Sequence, residues 1–273
     1  MYYTIINNVK FHYEILGEGG AELAFIPGYT GDINLWRNVA ETLSAYNKVL
    51  IFDPQGSGNT QDQNAPLSIE EMAKNIHKLY LSLGFKQPVI IGFALGSGVA
   101  LSIANQYPND FLSLILVAGV ISFSKEAKRV CESLCAHREI GTIAEFQKAS
   151  AVLYDYCFGE NFKMATSKEK FIDEFWPLLQ KSQHQIGQRR QVEALKKYDA
   201  TPWVSNINGI NSLVISPSKD HLSLPEECKK LADAINAKIE NVEDCGHAIL
   251  LEDPRKISAL IKKHLINIKL LNV

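Results

Sequence analysis

Residues 90–100 read "IIGFALGSGVA", and this stretch decides the fold. Strand-like "PVIIG" runs into a sharp turn, and the run "LGSGVALSIANQY" that follows reads as a helix ended by Pro108. A turn this tight needs small residues at its ends, and Gly92 and Gly96 supply them. The central side chain is pushed out of the sheet at a helix N-terminus, whose amides and dipole favour a developing negative charge. That is a setting for a reactive atom, yet position 94 is Ala.

Working outward, strands and helices alternate. "YYTII" and "FHYEIL" flank an Asn-Asn turn signal and suggest an opening hairpin. "ELAFIPG" is a short apolar strand, followed by a helix with Leu35, Trp36, Val39 and Leu43 at helical spacing. After strand "KVLIFD", Ser68 with Glu71 three residues on reads as a capping box opening the next helix. "LSLILVAG" and "NSLVIS" are further apolar strands, and Asp253-Pro254 opens a terminal helix. Continuous apolar strands joined by helices predict an α/β fold with a mostly parallel sheet covered on both faces. From about Ser122 to Asn208 the alternation stops and charged helical patterns take over, too long a stretch for a structureless loop. The expected division is a core of residues 1–121 and 209–273 with a helical cap, 122–208, inserted in it.

Composition narrows the classes. The chain has 273 residues, 28 Lys+Arg against 30 Asp+Glu, and a net charge of -2, so it lacks the basic stripe of a nucleic-acid binder. Its five cysteines are odd in number and scattered, without metal-ligand spacing. Free thiols, no metal and no cofactor are expected. With neither a signal-peptide pattern at the start nor an apolar run of membrane-spanning length, a soluble cytoplasmic protein is expected.

Two further positions bear on chemistry. Asp220, in "ISPSKDHLSLP", lies a few residues past a strand end, on the face where open α/β sheets bind ligands. An Asp there also serves as a turn residue or cap, and the adjacent His221 reads as an exposed loop histidine. His247, in "EDCGHAILLEDP", follows a Gly just past the last strand. Position 94, Asp220 and His247 run in the chain order nucleophile, acid, base that follows a Gly-x-Ser-x-Gly turn.

With these positions placed, the chain resembles the α/β-hydrolase superfamily over essentially its whole length. It is most similar to small capped members such as proline iminopeptidases, enol-lactone hydrolases and related esterases and lactonases. "FIPGYTGDINLW" resembles their oxyanion-loop segment and "FDPQGSGNT" their Asp-x-Arg-Gly-x-Gly-x-Ser turn; "ANQYPNDFLSLILVAG" and "GQRRQVEALKKYDATPWVSNINGINSLVIS" also match in character. The resemblance implies an eight-stranded sheet, position 94 (Ala94 here) as the nucleophile, His247 as general base and Asp220 as the acid orienting it. It implies an oxyanion hole from the amides of Tyr29 and Leu95, substrate contacts at Gly28 and Phe93, and structural roles for Asp53 and Gly56. Pro27, Phe93 and Gln55 depart from the usual residues and change the packing around the pocket.

Ala94 is the serious departure, because a methyl group cannot attack a carbonyl. Three readings follow: a serine hydrolase of carboxylic esters or lactones with its nucleophile replaced by Ala, a silent relative that binds a small molecule, or a His-Asp dyad acting as base in a lyase or cofactor-free oxygenase reaction. Ser97 lies about a helical turn further on and is a poor substitute. The expected partner is a small ester or lactone. Lys125, Lys128, Arg129, Arg138, Arg189 and Arg190 of the cap would suit an acidic substrate or acyl carrier, or form a solvated face. The aromatics Tyr154, Tyr156, Phe158, Phe171, Phe175 and Trp176 would line an acyl pocket or glue cap to core.

Overall fold

Asn7 and Asn8 both adopt positive φ, 49° and 64°, the left-handed pair that a tight hairpin turn of the type I′ kind requires and Asn tolerates. They join β1 (Tyr2–Ile6) to β2 (Val9–Leu16) in antiparallel register. The chain continues through β3 (Glu22–Ile26), α1 (Ile33–Ser44), β4 (Lys48–Phe52), α2 (Ile69–Ser82), β5 (Val89–Phe93), α3 (Leu95–Gln106) and β6 (Ser113–Val117). This computed structural model describes residues 2–181 and 185–271. Five helices then follow among the described residues: α4 (Lys125–Ile140), α5 (Ile143–Cys157), α6 (Glu160–Ala165), α7 (Lys168–Lys181) and α8 (Gln185–Lys197). The sheet resumes with β7 (Ser212–Pro217), α9 (Pro225–Ala234), β8 (Lys238–Val242), α10 (Ile249–Glu252) and α11 (Pro254–Asn267).

The eight strands form one sheet in the order β1-β2-β4-β3-β5-β6-β7-β8. Pairing is antiparallel from β1 through β4 and parallel from there on. The inner parallel strands β3 to β7 are mostly apolar because both faces are covered, and successive residues serve opposite cores; the edge strand β8, with Lys238, Glu240 and Asn241, is largely exposed or half-buried. On β3, Ala24 and Ile26 join one cluster with α2, α3 and α9, while Leu23 and Phe25 join Trp36 of α1 and Ile257 of α11 in the other. Local signals start the helices where expected: Ser68 accepts from the Glu71 amide, and Asp253 caps α11 ahead of Pro254.

One buried group makes stability depend on pH. His264, in the last turn of α11, has Nε2 2.8 Å from Ser113 Oγ, and burial, with Lys238 adding to it, pushes its pKa down to about 4. The folded protein keeps the imidazole neutral while the unfolded chain protonates it near 6.5. Its contribution is therefore present above about pH 6.5 and is lost as pH falls to about 4. Thermal melts across this window should show a fall in Tm that His264→Gln flattens; an equal slope in both proteins would contradict it.

Candidate active site

The turn after β5 is built by close packing. A Cβ on Gly92 would strike the backbone of Gly96, and one on Gly96 would strike the carbonyls of Ile26 and Pro27. Glycine is therefore obligatory at both places. Between them Ala94 is held at φ 48°, ψ -110°, a region that costs a non-glycine residue about 1–3 kcal/mol. Its amide donates to Val117 O at 2.9 Å and its carbonyl receives Ser97 N at 3.0 Å. Ser97 is fully buried, with Oγ 2.8 Å from Gly92 O and 3.1 Å from Val117 O. Its hydroxyl serves the turn and not the cavity.

Asp220 and His247 come together from the loops after β7 and β8. His247 Nδ1 lies 2.8 Å from Asp220 Oδ2, while Asp220 Oδ1 accepts the Leu222 and Ser223 amides at 2.8 Å each. The Asp220 side chain is wholly buried and that of His247 is 14 % exposed. With Nδ1 engaged, Nε2 is the ring nitrogen left to work on a bound molecule. The histidine loop has a clamp that sequence reading missed: the Glu252 carboxylate accepts from Gly246 N at 2.8 Å and from Gly159 N at 3.0 Å. Burial raises the pKa of Glu252.

Ala94, Leu95, Phe93, Tyr29 and His247 all line one cavity of about 640 Å³ between the strand ends and helices α4, α5, α7 and α8. Asp220 stands behind His247, and Gly28 packs on the Phe93 ring, outside the set of lining residues. His247 and Phe93 rings are 5.0 Å apart. Leu95 opens α3, so its amide has no acceptor within the helix. The wall contributed by the helices is apolar, with Leu134, Leu153, Phe158, Phe175 and Leu179. Phe158 and Phe175 thus face the cavity, whereas Tyr154 and Phe171 belong to the aromatic packing behind them.

The cationic residues expected at the cap are largely committed elsewhere. Arg129 pairs with Glu126, Arg189 with Glu132 and Glu139, and Arg190 with Asp62 at 2.7 Å. Among the described residues lining the cavity none is Lys or Arg. Cys131 and Cys157, which do line it, are buried free thiols, and burial raises both, Cys131 to about 12. They are protonated and unreactive near neutral pH. Asp53 is structural in its contacts: it takes His12 Nδ1 and the amides of Ile33 and Asn59, each at 2.7 Å.

A family model for the alpha/beta hydrolase fold matches residues 23–254, and the chain belongs to that family. It is 25% identical to the monoacylglycerol lipase ABHD6 of Bos taurus, over 95% of this chain and 80% of the relative. Two similar solved structures are an alpha/beta hydrolase, MGS-M2, from a deep-sea metagenome library (TM-score 0.86, 20% identity, 97% of each chain) and the enol-lactonase of Burkholderia xenovorans LB400 (TM-score 0.85, 18% identity, 97% of this chain and 100% of that one). The structural likenesses show the fold. No helix among the described residues is long and apolar enough to cross a membrane.

Proposed function

We propose that the chain is built as a cytoplasmic hydrolase of a carboxylic ester or lactone, working by acyl transfer at position 94, and that with Ala94 it holds such a substrate without turning it over. The observation that carries this is the pairing of a strained, cavity-facing turn at Ala94 with a histidine whose Nδ1 is held by a buried carboxylate. Backbone strain of this kind persists where surroundings over-determine it, as at sites of chemistry. A serine at 94 would pass its proton to His247 Nε2 as its oxygen bonds to the acyl carbon. Asp220 would stabilise the imidazolium, and the amides of Tyr29 and Leu95 would receive the oxyanion. The proton would then go to the departing alcohol, and water would release the acid by the reverse sequence. Residues 122–208 act as the cap of the core formed by 1–121 and 209–273.

The apolar wall, without a cation among the described residues that line it, favours a neutral acyl chain, since an unpaired charge loses its hydration there. The names of two relatives, a monoacylglycerol lipase and an enol-lactonase, denote ester-bond chemistry and fit this choice. The test of the activity is Ala94→Ser with a covalent fluorophosphonate probe, which should leave a single adduct at position 94. For the substrate class, calorimetry on the chain as it stands should show a neutral medium-chain ester binding at least about tenfold more tightly than its ω-carboxylate analogue. Equal affinity would sink the neutral-acyl assignment.

A further inference from the structure

Gly28, Tyr29, Thr30 and Gly31 form a turn in which Gly31 N donates to Gly28 O at 3.0 Å. The Gly28 carbonyl and the Tyr29 amide belong to one planar peptide, so fixing the carbonyl inward points the Tyr29 N–H the opposite way. Thr30, third in the turn, has φ 63°. A type II turn requires positive φ at that place and normally has Gly there; a β-branched residue is strained in it. Something must hold the turn.

Gln191 of α8 does so. It is fully buried, its Oε1 accepts the Thr30 amide at 3.1 Å, and its Nε2 donates to Gln55 O at 2.8 Å and lies 3.0 Å from Ser57 Oγ. One side chain from the inserted helices thus spans the loop after β3 and the turn after β4. The same helix closes on that turn at Gly187, where a Cβ would collide with the Gly56 backbone. Its Arg190 pairs with Asp62 and donates to Ala65 O at 2.7 Å.

We infer that Gln191 is a positioning residue for the oxyanion site: by holding Thr30 in its left-handed conformation it aims the Tyr29 amide at the carbonyl oxygen of a bound ester. This rests on the acyl-transfer reading above. It also makes the inserted helices a working part of the site, because the hydrogen bond that sets the turn comes from α8.

The experiment compares Gln191→Met and Gln191→Glu in the Ala94→Ser form, by the rate of fluorophosphonate labelling and by kcat and KM on a short neutral ester. Losing the Thr30 bond should slow labelling and lower kcat by about 10- to 100-fold, the scale of a donor displaced by about 1 Å, with KM little changed. Gln191→Glu keeps an acceptor for Thr30 N–H while losing the donor to Gln55 O, and should recover part of the rate; Gln191→Leu, which like Gln191→Met lacks the acceptor, carries the test if Gln191→Met does not fold. Undiminished labelling in the folded Gln191→Met or Gln191→Leu protein, or a loss confined to KM, overturns the assignment. Hydrogen exchange at the Thr30 amide, followed by NMR in the Ala94 chain, separates this inference from the one it rests on. If Ala94→Ser takes no label, acyl transfer falls. Gln191 is then judged by exchange alone: faster exchange in Gln191→Met supports its hold on the turn, and unchanged exchange refutes it.

Discussion

Ala94→Ser should convert the protein from one that ignores fluorophosphonates to one that takes a single covalent adduct at position 94, and should raise ester turnover by about 10⁶-fold. The magnitude follows from serine hydrolases in which deleting the nucleophile costs about that factor, leaving only the smaller enhancement supplied by binding and oxyanion donors. The rest of the arrangement is in place. The backbone at 94 is held in its turn by Gly92, Gly96 and the bond to Val117 O, none of which depends on the side chain. A hydroxyl there replaces one hydrogen on a Cβ that lines the cavity shared with His247. Intact mass before and after the probe, followed by initial rates on short acyl esters and lactones, reads the result. A folded Ala94→Ser protein without adduct or turnover would end the acyl-transfer proposal and leave a binding protein.

In that serine form, His247→Ala should remove the gain almost entirely, again about 10⁶-fold, and Asp220→Asn about 10⁴-fold, with kcat falling and KM nearly constant. The Asp220 effect follows from its hydrogen bonds. Asp220 Oδ1 already receives two amides, from Leu222 and Ser223. An asparagine must therefore keep its oxygen there and turn its NH2 towards His247 Nδ1. That reverses the bond, places the imidazole proton on Nε2, and leaves no lone pair to take a proton from serine. Because nucleophile and base act as a unit, His247→Ala in the Ala94 chain should change residual ester hydrolysis very little. A clear fall there would mean that the dyad activates water or a substrate proton without a nucleophile, and the dyad-as-base reading would replace the one proposed.

Much of the fold was legible in short windows. The alternation of apolar runs with helical periodicity, the Asn-Asn hairpin, the Ser68 and Asp253 caps and the paired glycines around position 94 depend on residues a few places apart. The structure forms each of them where the pattern lies. Part of the candidate site was legible for another reason: chain order and the family resemblance pointed to position 94, Asp220 and His247, which follow β5, β7 and β8 at the same edge of the parallel sheet. Gln191 was not recognised. It read as one more polar residue in a charged helix, although Gly187, Gln191, Ala194 and Leu195 share a buried face at helical spacing. Glu252 had no reading either, because the two amides it holds come from Gly246 and from Gly159, 93 residues away.

The sequence by itself determined the α/β layering and the glycine-bounded turn, because backbone preference, burial period and steric need for glycine act within a few residues. Only the tertiary structure decided which polar groups meet. Gln191 reaches Thr30 across 161 residues and Glu252 reaches Gly159 across 93, while the His247–Asp220 pair across 27 was expected only through the family resemblance. It also decided which aromatics of the helical segment face the cavity and which pack behind it. A buried hydrogen bond or a ring contact forms only when chain closure brings both partners together, and no local pattern specifies the distant one.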